Sequence, residues 1–163
     1  GFKSDIVFLP EHGVGAVILT NSDTGGMMLS PFRRRLLEVL FDGRPEATED
    51  IAKTAENARA AQAKFRERLL VPADTEAARR LAAHYASPEL GQLAVRHEGS
   101  STVFDTGEWH SSVASRKNDD GTISFFTVDP GTAGFEFVEA TRNDKRALIV
   151  REGQHEYVFT ETM

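Results

Sequence analysis

GEWHSSVASRKNDDGTISFFTVDPG, residues 107–131, is the stretch whose reading decides the fold. Two runs of β-type residues are separated by Asp119-Asp120-Gly121 and closed by Asp129-Pro130-Gly131, both strong turn signals. The same rhythm continues on either side. Turn signals recur at Glu98-Gly99, Asn143-Asp144 and Glu152-Gly153, so strand-length runs repeat every 8 to 14 residues. Alternation is visible within them: Leu93, Val95 and His97 share one face, Phe135 and Phe137 another, His155, Tyr157 and Phe159 a third. Seven or eight short antiparallel strands of this kind build a β-barrel or a sandwich. A short helix, expected from its cap at Asp74 to about His84, is placed to cover the bottom of a barrel, where an open end would expose core.

Upstream, residues 44–72 read as a helical connector that starts near Thr48 and ends before Pro72. Ile51, Ala55, Ala58, Gln62, Phe65 and Leu69 are spaced alternately four and three apart, a heptad-like seam diluted by Ala and Gln. Such a seam is expected to pack on a neighbouring surface rather than to form a coiled coil with a second copy. Residues 1–43 begin with two apolar runs, Asp5–Leu9 and Val14–Leu19, around Pro10-Glu11-His12-Gly13, which predicts an antiparallel hairpin. Their nearly continuous apolar character predicts inner strands covered on both faces. A helix is expected to follow, with Ser30 as N-cap, Pro31 at its first position, a stripe of Leu36, Leu37, Leu40 and Phe41, and Gly43 as its stop. The fold class is therefore mainly β with a helical linker: a hairpin and helix (1–43), the linker (44–72) and an antiparallel barrel (73–163).

Composition narrows the chemistry. A net charge of -6 argues against nucleic acid, which demands clustered Lys and Arg. The basic run Arg33-Arg34-Arg35 lies inside an apolar helical pattern and reads as a solvated helix face. There is no cysteine, hence no disulfide and no thiolate nucleophile. No apolar run approaches the roughly 18 residues that span a bilayer. His12, His84, His97, His110 and His155 follow no metal-ligand spacing, so neither a metal nor another cofactor is expected.

The binding candidates are Trp109, His110 and Arg116. Trp109-His110 can sit at a barrel mouth and face a ligand or a partner, or Trp109 can simply fill a barrel end. Asp105, Glu108, Arg116 and Lys117 read as surface charge alternation, with a polar cluster in a small cavity as the other possibility. Phe104, Phe125, Phe126, Phe135, Phe137, Tyr157 and Phe159 supply enough bulk to fill a small barrel, so a filled interior is expected; one small apolar ligand is the alternative.

Two stretches carry a resemblance. Gly1-Phe2, Ser4, Pro10-Glu11, Gly13, Gly15 and Asn21, followed by a helix, resemble the closing part of the serine β-lactamase and penicillin-binding-protein fold, in its class C β-lactamase, esterase and D-aminopeptidase branch. The stretches YASPELGQLAVRHEG, GEWHSSVASRKNDDGTISFFTVDPG and GQHEYVFTE resemble the lipocalin-like barrel appended to many of these hydrolases. The resemblance implies the C-terminal piece of a larger enzyme that transfers an acyl group to water through a Ser ester, on a peptide, an ester or a β-lactam. It implies that Gly1, Phe2 and Ser4 lie near the parent's active-site strand. It also implies an N-terminal catalytic portion of the same gene product as partner, or a homo-oligomer formed through the exposed hairpin, and an extracytoplasmic location. The family's Ser-x-x-Lys is absent: Ser115-Arg116-Lys117 has the wrong spacing and Tyr85-Ala86-Ser87 only echoes Tyr-x-Asn. His97-Glu98-Gly99 fits His-x-Gly but falls on a hairpin turn and reads as coincidence. No catalytic residue is assigned, and the chain alone is expected to be non-catalytic, its barrel an accessory domain that caps the active site or mediates assembly.

Overall fold

Two apolar runs and a left-handed glycine open the structure. In the computed structural model, which describes residues 2–22 and 25–162, β1 (Lys3–Leu9) and β2 (Val14–Thr20) pair antiparallel as a two-stranded sheet. Pro10–His12 make a single 3-10 turn that Gly13 exits at φ 59°, where a side chain would be strained. The chain forms two compact units, the first ending at Glu67 and the second beginning at Arg68.

In the first unit, α1 (Gly26–Leu40) packs against β1, and Arg33 Nε meets Asp5 at 3.0 Å. The register Ile6↔Val17 and Phe8↔Gly15 sends Asp5, Val7, Leu9, Val14, Ala16 and Ile18 to the half-buried face. The opposite face is apolar and open: Ile6, Phe8, Val17 and Leu19 are 61–77% exposed. The apolar runs predict cover on both faces, but among the described residues α1 packs on one face and the other stays exposed.

The helix starts a turn earlier than its Ser30-Pro31 signal predicts, leaving Pro31 inside it. Packing overrides the cap: Met27 and Met28 line a groove with Ala55 and Ala58 of α2 (Glu46–Glu67), so the extra turn gains apolar contact that a start at Pro31 would forgo. Ile51, Ala55 and Ala58 of the expected seam are half-buried, whereas Gln62 and Phe65 are exposed. Glu38 ties the two helices, accepting from Ala47 N–H at 2.8 Å while Arg34 and Arg35 bridge to its carboxylate. Arg34 also reaches Glu46 and Asp50, so the basic run is a helix face paired with carboxylates.

The second unit starts with residues 68–73 running antiparallel to the strand that holds Ser115: Leu70 and Ser115 exchange backbone hydrogen bonds of 2.8 and 3.0 Å. The last residues of the expected connector thus pair into the barrel. Asp74 caps α3 (Thr75–Arg79) by accepting from Ala77 N–H at 2.8 Å. This helix is shorter than the expected run to His84. Barrel groups claim the backbone beyond it, since Ala82 N–H donates to the Tyr85 hydroxyl at 2.9 Å and Ala83 C=O accepts from Val95 N–H at 2.8 Å.

The barrel strands are β3 (His84–Ser87), β4 (Gly91–Glu98), β5 (Ser101–Asp105), β6 (His110–Lys117), β7 (Ile123–Thr127), β8 (Glu136–Arg142), β9 (Lys145–Glu152) and β10 (His155–Glu161). Each pairs antiparallel with the next, and β10 returns to β3, giving a closed eight-stranded barrel. The seam is short, with Thr160↔Ala86 and Glu161↔Tyr85 as its register and Thr162 N–H donating to His84 C=O at 3.0 Å. Arg146 braces it: its N–H and guanidinium bind Glu161 at 3.0 and 2.6 Å, holding that carboxyl below its usual pKa. Tyr85, Leu93, Phe104, Val113, Phe125, Phe137, Leu148 and Phe159 fill the interior, and Ala77, Ala78, Leu81 and Ala82 close one end. Alanines let α3 approach where larger side chains would compete with the strands' own. Phe126, expected inside, is on the outer face, because its neighbour Phe125 takes the inward position of that strand.

Tyr85 joins the plug to the wall. Tyr85→Phe is expected to lower barrel stability by about 1–2 kcal/mol near neutral pH, because it leaves the Ala82 N–H without its acceptor. Burial, opposed by that N–H, raises the phenol above its ordinary value of 10.0. The unfolded chain therefore loses this proton first, and the phenol's contribution, whole below the unfolded value, is lost as pH rises towards and through the folded one. Urea unfolding of both proteins between pH 7 and 11 checks this; alkaline limbs of equal slope would refute it.

Candidate functional site

Antiparallel strands deliver their turns alternately to the two ends of a barrel. The turns after β3, β5, β7 and β9 therefore gather at the end opposite α3. There a pocket of about 380 Å³ is lined by Trp109, Phe135, Phe137, Tyr157 and Phe159, with Leu90 and Val150, and by the polar Gln92, Thr106, Glu108 and Glu152. The interior is thus filled at the helix end and open at this one.

Local hydrogen bonding holds the aromatics in place. In the Thr106–Trp109 turn, Thr106 N–H donates to Trp109 C=O at 3.0 Å, and Gly107 at φ 85° gives its N–H to Asp105 Oδ1 at 2.7 Å. The turn after β7 is pinned at its start by Ser111 Oγ, which accepts from Val128 and Asp129 N–H at 3.2 and 3.0 Å. Asp129 Oδ2 in turn accepts from Ser112 N–H at 2.9 Å. At the far end of that turn, Phe135 N–H donates to Thr127 Oγ1 at 2.9 Å. Trp109 and Phe135 consequently stack with centroids 5.8 Å apart and planes 19° apart, and Phe137 stands 6.4 Å from Trp109 and 6.0 Å from Phe159. Ser87 Oγ, paired in register with the pocket's Gly91, is buried without a hydrogen-bond partner.

The three binding candidates are not one site. Trp109, in the turn before β6, lines the mouth, whereas His110, the first residue of that strand, is exposed and outside the lining. Arg116 is on the outer face near the opposite end. Its guanidinium lies 4.7 Å from the Phe126 centroid and binds Asn118 and Glu136 at 3.1 and 2.9 Å, beside a separate polar hollow. Asp105, Glu108 and Arg116 are dispersed and do not make the alternative polar cluster: Asp105 pairs with Arg96 at 2.9 Å, Glu108 is at the mouth and Arg116 is at the far end. Phe2 and Ser4 are exposed on the hairpin, and Gly1 lies outside the described residues. Among the described residues no group of His, Asp and Glu is arranged to hold a metal, and no helix is long and apolar enough to cross a membrane.

Leu90, Gln92, Thr106, Val150 and Glu152 were not legible as site residues. Each lies at a strand end or in a turn, and only the closure of eight strands brings those ends together. No family model, curated protein or solved structure matches the chain.

Phe135 is 47% exposed and Phe137 is buried, so their truncations should separate. Phe135→Ala is expected to change stability by no more than about 1 kcal/mol while shifting the emission of Trp109, the one tryptophan. Phe137→Ala should cost about 3–5 kcal/mol. Denaturant titration followed by fluorescence and circular dichroism measures both.

Proposed function

We propose that this chain is the closing portion of a serine hydrolase related to β-lactamases and penicillin-binding proteins, with its barrel as an accessory domain that restricts access to the cleft or mediates assembly. One observation carries the reading. The β1–β2 hairpin has α1 on one face and an open apolar face on the other, with only two strands in its sheet. Apolar faces and unpaired strand edges of this kind call for further strands and a covering layer. The nucleophile and its base then come from residues outside this chain, and the reaction is acyl transfer from a peptide, ester or β-lactam to water. The lipocalin-like character of the barrel belongs to the same reading.

The full-length gene product, treated with a fluorescent penicillin and a chromogenic ester, is expected to be acylated at a Ser outside this chain, while this chain alone stays unlabelled and inactive. Ile6→Asp with Val17→Asp should lower the activity of the full product more than tenfold and leave the unfolding of the barrel unchanged. A full product that neither reagent acylates, or one indifferent to the two aspartates, would overturn the proposal.

The mouth favours a second reading, in which the barrel binds a small apolar molecule in its own right. Its volume of about 380 Å³ is within the range of small-molecule sites, and its lining is mostly aromatic and aliphatic.

A further inference from the structure

We infer that the barrel mouth takes a small organic cation: an ammonium or quaternary ammonium group carried on an aromatic or short aliphatic body. The inference rests on the reading of the barrel as a binding module and adds the chemical class of the ligand.

The walls supply the first reason. Aromatic rings present negative faces, and a cation is the charged group such faces attract. Trp109, Phe135, Phe137, Tyr157 and Phe159 all border one pocket, with Trp109 and Phe135 nearly parallel.

The distribution of charge supplies the second. The pocket's charged residues are Glu108 and Glu152, and no Lys or Arg lines it. Among the described residues, neither carboxylate is engaged in an ion pair or a side-chain hydrogen bond. The four turns at this end contain Glu89, Glu108 and Asp129, and again no Lys or Arg. Asp129 is occupied by Ser112 N–H, and Glu89 faces His155 at 3.6 Å; His155 and the exposed His110 are the imidazoles at this end. Arg151 follows the pocket's Val150 and so points to the other side of its strand, where it binds Glu156 at 3.0 Å. The opposite end mixes both signs, with Arg79, Arg80, Lys117, Arg142, Lys145 and Arg146 standing among Glu76, Glu98, Asp119, Asp120, Asp144 and Glu161. The open end is therefore the one whose turns carry carboxylates with no Lys or Arg among them. An anion would meet ring faces and carboxylates there. A cation meets two attractive features at once, with an apolar floor for its body.

The test uses the whole chain, with calorimetry as readout and Trp109 emission as a local reporter. The probes are benzyltrimethylammonium, its neutral isostere neopentylbenzene, and phenylacetate. The cation is expected to bind at least tenfold more tightly than the isostere, with a change in Trp109 emission, and phenylacetate should not bind measurably. Glu108→Gln with Glu152→Gln should weaken the cation about tenfold and leave the isostere within twofold. Asp119→Asn with Asp144→Asn, in turns at the opposite end, should shift neither by more than twofold, which separates a local effect from general attraction to an acidic protein. If the isostere binds as tightly as the cation, or phenylacetate more tightly, the cation inference fails while the apolar-ligand reading stands. If none of the three binds, both fail.

Discussion

Closure of the sheet between β10 and β3 is the constraint on which the rest of the barrel depends. The seam is among the shortest in the barrel, yet it is what removes the last free edges of the sheet. It is short because β3 is short, and its shortness is offset from both sides. Arg146 holds Glu161 with backbone and guanidinium donors, while Tyr85, on the facing strand, reaches through the interior to the backbone after α3. Seam, plug and core are thus one mechanical unit, and loosening one loosens the others.

Closure also distributes function. Eight strands of alternating direction send the four turns after β3, β5, β7 and β9 to one end and the three after β4, β6 and β8 to the other. The segment leading into β3 arrives at one end and folds over it as α3, whose small residues seat among Leu93, Phe104 and Leu148. Among the described residues of the barrel unit, no corresponding segment covers the other end. There the aromatic wall ends in solvent, and a pocket opens beside a turn whose backbone is held by Ser111 and Thr127 of the adjoining strands. Phe104 and Phe125 lie deep and make the floor solid; Trp109 and Phe135 lie shallow and make the rim usable. The same barrel is a packed core over most of its depth and a candidate receptor at its lip.

The N-terminal unit obeys different physics. Its helices are tied by Glu38 and the arginines of α1, and its buried interior is slight. Among the described residues, the hairpin offers an apolar face that stays exposed. Such a face is unfavourable in water, and the proposed hydrolase reading assigns its missing cover to a larger sheet domain.

Much of this was legible in the sequence. Turn signals between alternating apolar runs announced the strands and their number, and Asp74 announced the plugging helix, because both depend on local backbone preferences and a two-residue period. The hairpin in the first unit was legible for the same reason. Local signals misled where packing competed with them: Ser30-Pro31 lost the start of α1 to Met27 and Met28, and α3 ended early because the barrel claimed Ala82 and Ala83. Of the binding candidates only Trp109 lines the site, while Phe135, Phe137, Tyr157 and Phe159 were legible as barrel aromatics and Glu108 as a possible cavity residue. Trp109 belongs to the turn before β6 and His110 to the exposed first position of that strand, which parted the two, and residues on different strands meet only through register, which kept Arg116 away and brought Gln92 and Glu152 in. By itself the sequence determined the strands, the turns and the aromatic stock, since these follow from neighbours along the chain. Which ends meet, which aromatic lies deep and which end stays open and acidic were decided by the tertiary structure, because closure of the sheet sets distances between residues that the chain keeps far apart.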